Sequence, residues 1–235
     1  MKNDQTSRFN DWNPDAFDQG ASWQRTIRAF TAENIAGDVL DIGCGSRVYY
    51  DLRSASSWTG LDVAERMLNS VQFVDKPKKS KFILGDARDI PVPSNTYDTV
   101  IACFLLHHLA KENRSKSFME VSKAYEEAFR VLRPGGRFVV AENCPGPLEI
   151  PYHACFSVLY PLVLKLFNVE LPYFWAAKTH RQMSLNAGFL NESGYVHVPI
   201  VEPVYQPVIG RPTPAFLNGD LIQKMTLFIF EKAKS

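Results

Sequence analysis

Asp41, Gly43, Gly45, Asp62 and Asp86 are the residues whose types and spacing first suggest chemistry. Gly43 and Gly45 end the apolar run Val39-Leu40-Asp41-Ile42, in the order Gly43-Cys44-Gly45-Ser46. A backbone that turns this tightly leaves amide N–H groups free to hold a ligand. Asp62 closes the segment Trp58-Thr59-Gly60-Leu61-Asp62, about 20 residues past the first turn, where a carboxylate can accept hydrogen bonds from both hydroxyls of a ribose. Asp86 repeats the arrangement in Phe82-Ile83-Leu84-Gly85-Asp86-Ala87 and is placed to meet the polar edge of a base.

Several nucleotide-like ligands use such turns, and the spacing excludes two of them. A dinucleotide fold wants a third glycine, or an alanine, three residues after Gly45, and Val48 stands there. No Lys-Ser or Lys-Thr follows a glycine loop, so the P-loop pattern is absent.

The elements that must position these residues read as strands alternating with helices. After the first three strands, Tyr97-Asp98-Thr99-Val100-Ile101-Ala102 reads as a fourth, and Val131 to Val140, with Arg133-Pro134-Gly135-Gly136 inside it, reads as a helix end, a turn and a fifth strand. Each landmark falls at the carboxyl end of a strand, where open α/β sheets bind ligands.

The ordered set VLDIGCGS, GLDVAERML, GDARDIPVPSNTYDTVIACFLLHHL and VLRPGGRFVV, running from Gly37 to Asn143, resembles the class I S-adenosylmethionine-dependent methyltransferases. The resemblance implies an α/β fold: a Rossmann-like, seven-stranded, mostly parallel sheet with helices on both faces, an antiparallel last strand and a helical lid inserted after strand 5. It implies that Asp41, Gly43, Cys44 and Gly45 cradle the amino-acid end of S-adenosylmethionine and that Asp62 meets the ribose, with Val63 and Met67 beside it. It further places Asp86 and Ala87 near the adenine, and Cys103 at the end of the fourth strand. One departure stands out: Arg47 occupies a position where the family often has a third glycine.

Length and composition bound the rest. At 235 residues and 46% hydrophobic content the chain can bury one substantial core, which makes 1–235 a single domain. Its expected parts are an N-terminal helical cover (1–36), a cofactor-binding core (37–143), an apolar lid (144–178) and a C-terminal helix and hairpin (179–235). The formal charge of +1 and scattered basic residues lack the footprint of non-specific nucleic-acid binding. The basic cluster Lys76 to Lys81 reads as a solvated loop. The first residues, MKNDQTSRFNDWN, are not a signal peptide or membrane anchor, and four cysteines without a C-x-x-C pair suggest a reducing, cytoplasmic setting. Cys44, Cys103 and Cys144 follow strands one, four and five and are expected near one another along the ligand edge, as small apolar residues rather than metal ligands; no metal is expected.

Pro14 to Ile35 reads as an amphipathic helix with Ala16, Phe17, Trp23, Ile27 and Phe30 on its apolar face, and Asn113 to Leu132 as a second, with Phe118, Val121, Tyr125, Ala128, Phe129 and Leu132 facing the core. Trp12 and Trp23 either pack in the core or lie over the sulfonium. Ala154 to Phe167, fourteen residues broken by Pro161 and Lys165, is too short to span a bilayer and fits a lid. Thr179 to Ala187, capped by Gly188, precedes a sixth strand at Tyr195–Val201 and a seventh at Met225–Glu231. The loop Glu202–Asp220, with four prolines, either walls the substrate site or contacts a second subunit; with the lid, it is the surface through which a homodimer would form.

With that cofactor, the protein needs only to align an acceptor in a dry pocket and, for a hydroxyl or acidic carbon, to supply a base. His107 and His108 are the best placed, with Tyr152, His153, His180 and Glu142 as alternatives. The Ala102-Cys103-Phe104-Leu105 text lacks the Asn/Asp-Pro-Pro-aromatic element of many amino-group methylases. The expected acceptor is therefore a small lipophilic or aromatic molecule, methylated at oxygen or carbon. The rivals are a methyltransferase acting on protein or nucleic acid, and a non-catalytic partner subunit that only holds the cofactor. A nicotinamide oxidoreductase fails on glycine spacing.

Overall fold

The computed structural model describes residues 21–111, 113–145, 173–190, 194–198, 205–206, 211–212 and 223–234. Within them, helix α1 (Ala21–Asn34) leads into strand β1 (Gly37–Ile42), followed by β2 (Ala55–Asp62) and the short helix α2 (Glu65–Leu68). Next come β3 (Ser80–Leu84), β4 (Tyr97–Cys103), a 3₁₀ turn at Leu106–Leu109 and helix α3 (Arg114–Val131). Strand β5 (Leu132–Pro145), helix α4 (Ala177–Ala187), β6 (Gly194–Val198) and β7 (Gln223–Glu231) complete the order.

These seven strands form one sheet in the order β3-β2-β1-β4-β5-β7-β6. Neighbours from β3 to β5 are parallel, and β7 runs antiparallel to both β5 and β6. The chain reverses its direction of growth between β1 and β4, and such a switch point opens a crevice beyond the carboxyl ends of the strands.

The sequence of β1 follows from its central position. Both faces are covered, so apolar residues occupy successive positions rather than alternate ones. Leu40 and Ile42 point into one core with Val100, Ala102, Phe138 and Val140, under α3 and α4. Val39 points into the other with Trp58, Ile101 and Val139, under α1, where Ile27 is buried. Side-chain alternation therefore puts Asp41 and Asp62 on the α1 face and Glu142 on the α3/α4 face.

Helix α3 starts where Asn113 caps it, its side-chain oxygen accepting from the Lys116 amide at 2.9 Å. Val121, Tyr125 and Ala128 of the expected stripe are buried, and Phe118 and Phe129 are partly so. The helix passes directly into β5, and the Arg133-Pro134-Gly135-Gly136 turn survives as a register jump between the pairs Tyr97–Leu132 and Thr99–Arg137. Lys232, just past β7, donates to the Phe129 and Leu132 carbonyls at 2.9 and 2.7 Å, closing the orphan carbonyls at the end of α3.

Of the expected N-terminal helix only Ala21–Asn34 is described; its Pro14 to Gly20 portion and Trp12 lie outside the described residues, as do lid residues 146–172 and most of the 202–220 loop. The surfaces named for a homodimer therefore fall largely outside them. Among the described residues no helix is long and apolar enough to cross a membrane.

Candidate active site

The turn after β1 is shaped by a close approach to the loop after β4. Gly43 has φ +66°, and a Cβ there would lie 2.4 Å from Leu105 Cδ1. Both demands exclude a side chain. The Gly43 and Cys44 amides donate to the Leu61 carbonyl at 2.7 and 3.1 Å, tying the turn to β2. Gly45, at φ +60°, differs: nothing lies within 4 Å of where its Cβ would stand. The turn is packed on its inner side and open on the side where a ligand would enter.

Asp41 is buried beneath this turn, at 1% exposure. The Tyr50 hydroxyl donates to its Oδ2, and the Trp58 indole N–H donates in turn to that hydroxyl at 3.2 Å. Its Oδ1 has no partner among the described residues. Burial, with a smaller push from the Asp62 charge, raises the Asp41 pKa to about 8 against the pull of the Tyr50 hydrogen bond. A buried acceptor without a donor suits a ligand ammonium group.

Asp62, at the end of β2, reaches across to the same turn. Its Oδ2 accepts from the Gly45 amide and its Oδ1 from the Ala64 amide, both at 2.9 Å. Burial raises its pKa, and amides of Ala64, Gly45 and Val63 partly offset that rise. A carboxylate has about four acceptor positions, so capacity is left beside these amides for a ribose hydroxyl. Met67 is buried on α2 behind it.

Asp86 is already engaged. Arg88 donates to Oδ1 through Nε at 2.8 Å and pairs with Oδ2, and its other arm bonds Glu120 on α3. Burial would raise the Asp86 pKa, but the bonds and charge of Arg88 outweigh it and hold the carboxyl below its ordinary value. A base at this edge would meet an ion pair rather than a bare carboxylate. Ala87 is buried beside it.

The two candidate bases lie in the 3₁₀ turn after β4 and differ in their surroundings. The His107 ring Nδ1 is 2.6 Å from Glu142 Oε1, and its backbone N–H donates to Glu142 Oε2 at 3.0 Å. Phe174 stacks on the imidazole at 4.9 Å with a 27° interplanar angle, and the Tyr173 amide donates to the His107 carbonyl at 3.0 Å. His108 lies against His107, with ring centroids 4.0 Å apart. Glu142 is 1% exposed; burial works to raise its pKa, yet the charge and hydrogen bonds of His107 bring it below the ordinary value. Further under α3, the His180 Nδ1 pairs with the Tyr125 hydroxyl at 3.0 Å, Nε2 has no partner among the described residues, and burial pushes the His180 pKa down to about 4. Leading into this turn, Phe104 has φ +54°, a costly conformation for a bulky residue and one found mainly at functional sites.

The three described cysteines do not share one neighbourhood. Cys44 and Cys103 belong to the α1-side core, where the Tyr49 hydroxyl lies 3.8 Å from the Cys103 sulfur, whereas Cys144 belongs to the α3/α4 side. Side-chain alternation along β5 turns Cys144 away from the other two, which corrects the expectation that all three cluster. Burial raises the Cys44 and Cys103 thiols, so they behave as small apolar fillers. Among the described residues no group of three His, Cys, Asp or Glu side chains could hold a metal ion. Arg47 forms a two-residue strand with Val48, paired in parallel with Gln72–Phe73, so the chain continues after Ser46 as strand rather than helix.

Tyr50, Trp58 and Arg88 carry no motif of their own, and only folding brings them to the carboxylates they serve. The two-residue spacing of Arg88 from Asp86 is the one signal the sequence offers. The Asp41 oxygen without a partner among the described residues, the open space over Gly45 and the remaining acceptor capacity of Asp62 fit the amino-acid and ribose ends of S-adenosylmethionine.

Residues 40–140 match the family described as a methyltransferase domain. The chain is 25% identical over 201 residues to a demethylmenaquinone methyltransferase of Listeria welshimeri, covering 78% of this chain and 80% of that protein. It is 32% identical over 117 residues to a tRNA (carboxymethyluridine(34)-5-O)-methyltransferase of Arabidopsis thaliana, covering 49% of this chain but only 26% of that protein. The chain thus spans about a quarter of one relative and four fifths of the other. The fold is shared with N-methyltransferase NodS of Bradyrhizobium japonicum, solved with S-adenosyl-L-homocysteine, at a TM-score of 0.60 and 13% identity over 97% of this chain and 96% of that one.

Proposed function

Because the chain is a class I S-adenosylmethionine-dependent methyltransferase, we propose that it methylates a small lipophilic or aromatic acceptor at oxygen or carbon, with His107 as the base. The observation that carries this reading is the aromatic surface around a histidine held by a carboxylate. Phe174 stacks on His107, and Phe174 and the neighbouring Tyr173 are only partly buried, whereas Trp175 behind them is core. Planar rings present faces on which a quinol- or phenol-like acceptor can lie. The similarity to a demethylmenaquinone methyltransferase along most of both chains supports the same acceptor class.

S-adenosylmethionine, when bound, supplies a methyl group already activated on a sulfonium sulfur. Asp41 offers its open oxygen to the ligand ammonium, the Gly43–Gly45 turn offers room for close approach, and Asp62 accepts from the ribose. His107 would take the proton of a bound acceptor hydroxyl, or of an acidic carbon, leaving that atom nucleophilic. At 8% exposure the imidazole is largely shielded from bulk water, which favours proton transfer to it from a bound acceptor. A cytoplasmic setting belongs to the proposal, supported by the free thiols of Cys44, Cys103 and Cys144.

A second reading, methyl transfer to a macromolecule, draws on the tRNA methyltransferase relative, whose match covers about half of this chain. The two separate in a direct assay. Purified protein is incubated with S-adenosylmethionine and, in parallel, demethylated naphthoquinols, simple phenols, bulk tRNA and total protein, and products are identified by mass. A methylated quinol or phenol whose formation is lost in His107→Gln supports the proposal. Methyl groups found only in tRNA or protein contradict it.

A further inference from the structure

The geometry points to Glu142 as the positioning residue that fixes the tautomer and orientation of His107. This rests on the reading of His107 as the base, and adds to it the device that makes that base competent.

Glu142 grips His107 at two points from the neighbouring strand. Oε1 meets the ring Nδ1 at 2.6 Å and Oε2 accepts from the backbone N–H of the same residue at 3.0 Å. An ionised carboxylate only accepts, so Nδ1 must carry the hydrogen and Nε2 of the neutral ring is left with its lone pair. The backbone contact fixes the start of the side chain, the Nδ1 contact fixes the ring plane, and Phe174 closes one face of the ring. Three constraints of this kind leave the imidazole one orientation.

Burying a carboxylate at 1% exposure is costly unless its oxygens are satisfied, and the amide of Asn143 adds a third donor at 3.2 Å to Oε1. A core needing only to be filled would hold an apolar residue here, as the neighbours Val140 and Cys144 on the same face of β5 do. Among the described residues, the titratable groups linked to His107 are Glu142 from β5, His108 from its own turn and His180 from α4, with Tyr125 of α3 bonded to His180 and Tyr173 bonded through its amide to the His107 carbonyl. His180 is kept neutral by burial above about pH 4, so Glu142 supplies the only negative charge among them at neutral pH.

The test uses the full chain with an accepted acceptor and saturating S-adenosylmethionine. In Glu142→Gln the rate constant is expected to fall on the order of 10²- to 10⁴-fold, with KM for the acceptor changed less than about threefold. An unchanged rate constant in Glu142→Gln while His107→Gln is inactive overturns the role of Glu142 and leaves the base reading standing. A wild-type rate in His107→Gln overturns the base reading, and this one with it. Imidazole ¹⁵N shifts of the wild-type protein provide a readout that needs no variant to fold: hydrogen on Nδ1 of neutral His107 is expected, and hydrogen on Nε2 overturns the inference.

Discussion

Tyr50 donates its hydroxyl to one oxygen of the Asp41 carboxyl group and leaves the other buried without a partner. With its pKa raised to about 8, Asp41 holds a proton at pH 7 in the ligand-free protein. A ligand ammonium at Oδ1 stabilises the carboxylate and drives that proton off. Binding of S-adenosyl-L-homocysteine at pH 7 is therefore expected to release up to one proton, seen as an enthalpy that varies with buffer ionisation heat. Asp41→Asn is expected to abolish the variation, and equal enthalpies in phosphate and Tris for the wild type would remove Asp41 from ligand recognition.

Asp62 bonds the cradle and is left with acceptor capacity for a ribose. Asp62→Ala is expected to weaken cofactor binding by about tenfold or more, the order set by losing charge-assisted hydrogen bonds. Affinity for S-adenosyl-L-homocysteine by calorimetry decides it: an unchanged dissociation constant excludes Asp62 from the site.

Gly43 meets two constraints at once, a left-handed φ of +66° and Leu105 at 2.4 Å from a notional Cβ. Gly43→Ala is expected to lower stability by about 1–3 kcal/mol and to weaken cofactor binding, because alanine is strained at this left-handed φ and the Leu105 side chain must move. Gly45→Ala, with open space around its Cβ, carries only the backbone penalty but obstructs the ligand side. The comparison is read as denaturation midpoints against affinities, and equal stability losses with unaltered affinity for Gly45→Ala would contradict the assignment of the open side.

His180 gives the fold a pH dependence of predictable sign. Its pKa falls from 6.5 to about 4 on folding, so between those values the unfolded chain binds more protons. Stability contributed by neutral His180 is present above about pH 6.5 and lost as pH falls toward 4, to an extent on the order of 3 kcal/mol. Asp41 works in the opposite direction, since the folded state keeps a proton that the unfolded chain releases above about pH 4. The difference between wild type and His180→Asn in denaturant titrations at pH 4.5 and 7 isolates the first effect. A pH-independent difference would contradict it.

The parts legible in the sequence were those marked locally. Gly43 and Gly45 end β1, Asp62 ends β2, Asp86 follows β3 and His107 follows β4, because turns and strand ends leave short-range signals. What the sequence did not reveal is made by tertiary packing. Tyr50 folds back onto Asp41, Arg88 joins Asp86 to Glu120 on α3, and Glu142 meets His107 across 35 residues of chain. No periodicity links such partners. Glu142, by sequence one of the alternative bases, is instead paired with His107 through two hydrogen bonds.

The central claim is tested most directly by where the methyl group goes. Purified protein is incubated with methyl-labelled S-adenosylmethionine and an extract of its source cells containing both small molecules and macromolecules, and the label is then partitioned. The account predicts label in the organic phase, on a small lipophilic acceptor, and none above background with His107→Gln. Label confined to precipitated macromolecules would contradict it.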